Sequence, residues 1–285
     1  MVGVDLTMND PNAFGGTLSC SLPFLLPAWT IARTRWQHGA VIAFAVLAIS
    51  CILLTGSRSA FAALLLLFTI ASALSKYRWR ILPVLLILSP IVWVSLSDNL
   101  QNRYMTLIDS SRGGATALSS AESRTASFWY GMKSFAENPL FGAGLGSYRA
   151  ETGFATHNLY NQAMGELGIF GLLVLIGFAW AFFGNLLEAR RLYVDNDRYS
   201  RFLFHICVAA SLSCLLLFLL GWGGHNLKRY NWLWFGAFSG IALYFLRQRD
   251  YLTMSNNLAS HQCIEDEETV SSSEPSQNEP RDSTS

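Results

Sequence analysis

Residues 167–187 read LGIFGLLVLIGFAWAFFGNLL, an uncharged run closed by Glu188, Arg190 and Arg191. As a helix rising 1.5 Å per residue, such a run is roughly 30 Å long, which is the thickness of a bilayer's hydrocarbon core. A surface helix of a soluble domain would show polar residues along one face, and this run offers only Asn185. The stretch predicts a transmembrane helix over about 159–187, and similar apolar runs lie near 14–32, 39–56, 59–75, 81–97, 202–221 and 231–247. Together they predict an all-α fold, a polytopic transmembrane helix bundle of about seven spans. The composition agrees, since 52% of residues are hydrophobic and 14% charged, against roughly 25% charged in an average soluble domain. A soluble two-domain enzyme is excluded.

The net charge is +1, from 20 basic and 19 acidic residues, which leaves no electrostatic footprint for nucleic acid. Seven of the acidic residues follow Gln262, so the body of the chain is basic and suits work beside anionic lipids or lipid-linked phosphates. Four of the 5 cysteines, Cys20, Cys51, Cys207 and Cys214, fall in apolar stretches, and Cys263 stands alone. Neither a disulfide framework nor a metal-binding cysteine pair is present in the sequence.

Alternating the spans collects Arg33, Arg35, Lys76, Arg78, Arg80, Arg190, Arg191, Arg198, Arg201, Arg247 and Arg249 on one side of the membrane. The other side receives Arg58, Arg103, Arg112, Arg124, Lys133, Arg149, Lys228 and Arg229, most of them in one long loop that the positive-inside rule weighs lightly. The first side is therefore read as cytoplasmic. This places Met1 outside although residues 1–13 offer no charged n-region and no cleavable signal, as expected of a chain whose earlier helices are missing.

Residues 98–157 are polar and rich in serine and glycine, far longer than an ordinary connection. Phe128, Trp129, Met132 and Phe135 recur at near-helical spacing within Ser123–Phe135, which predicts an amphipathic helix in an ordered exterior loop. A transmembrane domain thus spans 1–251. Residues 252–285 turn to Ser, Glu, Asn, Gln and Pro, the composition of a disordered acidic cytoplasmic tail.

Several polar residues on the exterior side are candidates for chemistry. Arg58, in TGSRSA, is either a snorkelling interfacial arginine or a fork for phosphate oxygens. Arg124, in ESRTASFWYG, either pairs with Glu122 or Glu137 or completes a diphosphate clamp with Arg58. His157 stands at the outer boundary of the long apolar helix, where an imidazole suits proton transfer near neutral pH. His225 is its competitor, while His38 and His205 fall on the other side or within a helix and His261 in the tail. Glu166 would lie two to three turns below His157, orienting it, pairing with an arginine or making an interhelical hydrogen bond. Gly142, Gly144 and Gly146 do not fit a dinucleotide-binding fingerprint; they form a tight turn whose amides are also candidates for approaching a phosphate or sugar.

The succession TGSRSA, SRTASFWYGMKSFAENPLFGAGLGSY and THNLYNQAMGELGIFG resembles the C-terminal half of the O-antigen ligase and O-antigen polymerase family, over about Asp10 to Phe245. The resemblance implies an all-helical glycosyltransferase of the bacterial inner membrane, working on its exterior, periplasmic face. It would take a glycan from an undecaprenyl diphosphate carrier without metal, cofactor or nucleotide sugar. The acceptor hydroxyl would belong to lipid A core, another repeat unit or a protein. By the same resemblance Arg58 and Arg124 hold the diphosphate and His157 activates the acceptor, with Glu166, Gly142 and Gly144 as neighbouring candidates for substrate binding. Family members commonly have ten or more helices, and the seven read here lack the N-terminal ones.

The chemistry is coherent on its own terms. Charge grows on the departing diphosphate while a proton leaves the acceptor, so two arginines and one imidazole meet both needs. With no carboxylate nucleophile evident in this exterior set, single displacement with inversion is expected. Two other classes fit the same residues: a transporter or flippase of lipid-linked glycans, and a non-catalytic assembly subunit.

Overall fold

The computed structural model describes residues 10–74, 90, 93–94, 96–105, 114–153, 158–195, 197–223 and 231–273, with residues 103, 114–124, 257–258 and 260–273 described by backbone alone. The elements are α1 (Pro11–Ser21), a 3-10 turn (Leu22–Phe24), α2 (Leu25–Ile31), α3 (Arg35–Leu54), α4 (Arg58–Leu74), α5 (Asp98–Met105), α6 (Gly114–Glu137), α7 (Ser147–Thr152), α8 (Leu159–Arg191), α9 (Arg198–Gly221) and α10 (Asn231–Ser273). No strand occurs among the described residues.

Four segments are long and apolar enough to cross a membrane: Pro11–Ile31, Arg35–Leu54, Leu159–Arg191 and Arg198–Gly221. Of the seven expected spans, that at 59–75 forms α4, whose 17 residues reach about 25 Å, somewhat short of the hydrocarbon core. The expected span at 81–97 falls almost wholly outside the described residues. The one at 231–247 opens α10, where Asn231, Trp232, Trp234 and Tyr244 dilute its apolar character. The outward faces of α3 and α8 remain apolar, with Ile42, Val46, Leu47, Leu173, Ile176 and Trp180 exposed, as a lipid-facing surface requires.

Local sequence explains the ends. Asp10 caps α1 by accepting from the Asn12 amide, with Pro11 opening the helix. Pro23 and Pro27 lack amide donors, and the first membrane segment accordingly passes through the 3-10 turn rather than one unbroken helix. Thr34 and Gln37 form a capping box on α3. Asn158 caps α8 by accepting from the Tyr160 and Asn161 amides.

The expectation of a disordered tail from residue 252 differs from the structure, in which α10 continues to Ser273. Residues 252–273 contain neither proline nor glycine, so no backbone breaker stops the helix, and the first proline is Pro275. Residues 274–285 lie outside the described residues.

Helix α9 is the hub. It packs against α1, α2, α8 and α10 through small buried residues, among them Ser200, Ala209, Ala210, Ser211, Ser213 and Cys214. Small side chains let membrane helices approach closely, and hydroxyls on that surface bond across the gap. Ser213 Oγ donates to Cys20 O at 2.7 Å and Ser211 Oγ to Phe182 O at 3.0 Å. Asn185 Nδ2 donates to Ser239 Oγ at 3.2 Å, tying α8 to α10.

The two ends of the bundle differ in chemistry. One carries Arg198, whose guanidinium donates to Thr30 O and Ala32 O, and the ion pairs Arg247–Glu188 and Arg249–Asp197. Asp197 also caps α9, accepting from the Ser200 amide at 2.7 Å and the Tyr199 amide at 3.3 Å. Those amides, together with Arg249, hold its carboxyl below the ordinary carboxylate value. A depressed native pKa contributes stability that is full above the unfolded value and is lost as pH falls through the native one. Asp197→Ala is expected to cost about 1 kcal/mol, the usual worth of an N-cap. The gap in melting temperature between wild type and variant should be widest at neutral pH and close below about pH 4. A gap that stays constant into acid would contradict this.

Candidate functional site

The opposite end gathers most of the residues singled out from sequence. Helices α3 and α4 are joined by a tight turn in which Gly56 has φ +61. Ser57 anchors it: its hydroxyl donates to Asn12 Oδ1 at 2.7 Å and accepts from the Ala60 amide at 3.3 Å, capping α4. Tyr104 Oη donates to Leu53 O at 2.7 Å, and its ring lies 4.6 Å from that of Phe61, so α5 is pinned beside the same turn.

Arg58 is the first residue of α4 and is partly buried. The first turn of α4 contains no acidic residue. The positive end of the helix dipole and a guanidinium therefore coincide, an arrangement that favours an anion. Ala63, in the second turn of α4, shares a buried cluster with Leu159 and Ala163 at the start of α8. Asn158 Nδ2 reaches Trp222 O at 3.3 Å, at the end of α9. Thus the starts of α1, α4 and α8 and the end of α9 meet at one end of the bundle.

The second half of the site is built on a break in α8. Gly168 has φ +65 and ψ −150 in the middle of the helix, a conformation that is essentially glycine's alone. Turning the backbone there removes the ladder partners of the preceding carbonyls, and the loop after α6 supplies replacements. Gly165 O accepts from Ser134 Oγ at 2.7 Å and from the Ala143 amide at 2.9 Å. Glu166 O accepts from the Gly144 amide at 3.1 Å, and the Ile169 amide donates to Pro139 O at 2.9 Å. The NPLFGAG segment is thus a plug fitted into the gap in α8.

Gly142 sits at the closest point, with φ +68; a Cβ there would stand 2.4 Å from the Glu166 carbonyl carbon. Helices α6 and α8 also touch directly, since a Cβ on Gly165 would lie 3.0 Å from Gly131 Cα and one on Gly131 3.1 Å from Asn161 Cβ. Ser127, Gly131 and Ser134 form the buried stripe of α6 that faces α8. The order of contacts, Gly131 with Asn161 and then Ser134 with Gly165, shows that the two helices run parallel.

Glu166 is buried, 3% exposed, and accepts from Gln162 Nε2 at 3.1 Å. It lies at the turn just before the break, and its bond to Gln162 joins two residues one turn apart on α8 rather than two helices. The expectation that Gly142 and Gly144 offer amides to a substrate is corrected. Their amides are engaged by Asn138 O and Glu166 O, and both glycines serve the turn. His157, and its competitor His225, lie outside the described residues. Arg124 is placed on α6 by its backbone, in the turn preceding Ser127, and its side chain lies outside the described residues. His205 belongs to the other end of the bundle, where its Nδ1 lies 2.6 Å from Thr30 Oγ1; the His38 ring packs on Trp29 there, at 4.4 Å.

A helical membrane protein with an anion-favouring arginine turn and a loop-plugged helix break at one end is the class that fold and site define. Within it, residues 43–176 match the family model described as O-antigen ligase, so the resemblance read in TGSRSA, the glycine-rich loop and THNLYNQAMGELG holds over this part of the chain. The matched segment runs from α3 into α8 and contains Arg58, Arg124, His157 and Glu166. A match of this kind points toward a glycosyltransferase-like role at the membrane in polysaccharide biosynthesis. No curated protein matches the chain.

Proposed function

We propose that the protein transfers a glycan from an undecaprenyl diphosphate-linked donor to an acceptor hydroxyl at the exterior face of a bacterial inner membrane, as an O-antigen ligase or polysaccharide polymerase. The observation that carries this reading is Arg58 at the positive end of α4, inside the family-matched segment and at the same end of the bundle as the start of α8. Arg58 and Arg124 hold the two phosphates, and His157, immediately before the Asn158 cap, takes the proton.

The acceptor oxygen attacks the anomeric carbon, the bond from that carbon to the phosphate oxygen breaks, and the new glycosidic bond forms with inversion. The proton passes to the imidazole, and the electron pair of the broken bond leaves with the lipid diphosphate, where the guanidinium groups stabilise the growing charge. Of the residues that would hold the donor, Arg58 opens α4 and Arg124 lies on α6 in the exterior segment, within a bundle of seven spans.

The test is transfer by the purified full-length protein in lipid, with an undecaprenyl diphosphate glycan and candidate acceptors and chelator present throughout. Chelator-resistant transfer with inverted configuration is expected for wild type, with none for His157→Ala despite retained donor binding. Unimpaired movement of donor across vesicles by a His157→Ala variant, with no transfer by wild type, would replace this reading with that of a carrier.

A further inference from the structure

The seam between α6 and α8 contains polar atoms that find no partner among the described residues. Ser127 Oγ, Asn161 Nδ2 and Gln162 Oε1 are buried and have no hydrogen-bond partner among the described residues, their residues being 1%, 5% and 7% exposed. Buried polar groups are almost always paired, and one orphaned group costs enough stability to be rare. Three such atoms lie within one small region.

The geometry puts them together. Asn161 lies against Gly131, and Ser127 is one turn along the same stripe of α6. Gln162 is held by its bond to Glu166, which leaves its carbonyl oxygen facing no partner. Tyr130 joins α6 to α7: its ring meets that of Tyr148 edge-on at 4.8 Å, and its phenol lies among Ser147, Glu151 and Glu166. Burial and the Glu151 and Glu166 carboxylates keep that phenol above its ordinary pKa, so it remains a neutral donor at physiological pH.

We propose that this seam is a saccharide subsite, in which Ser127, Asn161 and Gln162 hydrogen-bond the hydroxyls of the sugar carried by the diphosphate lipid. The inference rests on the transferase reading above and deepens it. A sugar presents closely spaced groups that each donate and accept, and the seam answers with an amide donor, a carbonyl acceptor and hydroxyls of both kinds. A phosphate would instead need cations, and the described groups here are neutral or acidic. An acyl chain would leave every one of these atoms unpaired.

The experiment compares binding of undecaprenyl diphosphate alone with the same lipid carrying one hexose or one N-acetylhexosamine, using full-length protein in lipid nanodiscs. Wild type is expected to prefer at least one sugar-bearing carrier. Asn161→Leu, similar in size, and Ser127→Ala should each reduce that preference by about tenfold while binding the bare carrier as before. Both variants should melt no lower than wild type, because each removes an orphaned polar atom. Two results would overturn the subsite and leave the transferase reading standing: a wild type that binds bare and sugar-bearing carriers equally, or variants that keep the preference. Equal weakening toward both carriers would show a structural role and overturn it too. Failure of wild type to bind any of these carriers would bring down the transferase reading and the subsite with it.

Discussion

Gly168→Ala is expected to lower the melting temperature sharply and to abolish transfer in whatever protein still folds. The substitution meets two obstacles at once. The backbone at φ +65 and ψ −150 is strained for any side chain, at a cost of about 3 kcal/mol. The added methyl would also stand 2.5 Å from Leu140 O and 2.7 Å from the Gly142 amide nitrogen, both backbone atoms that cannot swing away. Relief requires either straightening α8 or expelling the loop. Straightening would strip Gly165 O and Glu166 O of the donors supplied by Ser134, Ala143 and Gly144, and both outcomes move Glu166. Gly144→Ala is the control: its φ is +96, yet nothing lies within 4 Å of the added carbon. Strain alone acts there, and a loss of about 1 kcal/mol is expected. Thermal unfolding of both variants in the same detergent separates the effects. A Gly168→Ala protein as stable and as active as wild type would show that the break in α8 is dispensable.

This break is also where the sequence is least informative. The start of α8 is legible because Asn158 is a strong cap, and its end because Arg190 and Arg191 close the apolar run. Gly168 looks from sequence like any glycine in a membrane helix, and helical periodicity passes through it without interruption. What fills the gap is the Pro139–Gly144 segment, whose pairing with α8 is a long-range event that no local pattern reports. Gly142 and Gly144 were legible as a turn but not as a turn fitted against Glu166. Their spacing says that the chain bends tightly; only the fold shows that the amides are already engaged. The orphaned atoms of Ser127 and Asn161 were equally hidden, since both read as ordinary polar residues near a membrane boundary. Arg58 was the opposite case. A guanidinium beside small polar residues at the end of an apolar run is costly enough to draw notice from sequence alone.

For Arg58 the expected result is a loss of transfer by about 10²–10³-fold in Arg58→Ala, the usual consequence of removing one fixed group that stabilises developing charge. The residue sits where α4 begins, and the turn that presents it is held by the Ser57 hydroxyl, which bonds Asn12 and the Ala60 amide. An anion bound there meets both the guanidinium and the positive end of the helix. Lysine at this position keeps the charge and loses the planar fork, so Arg58→Lys should recover only part of the activity. The defect should also differ in kind from that of His157→Ala. A group that holds the diphosphate in both ground and transition states affects donor binding as well as turnover, whereas a proton acceptor affects turnover and leaves donor binding in place. Donor affinity and transfer rate measured on the three variants therefore separate the roles. If Arg58→Ala bound the diphosphate lipid as tightly as wild type and transferred it as fast, the arginine would be an interfacial anchor, and the phosphate site would have to be sought elsewhere on this end of the bundle.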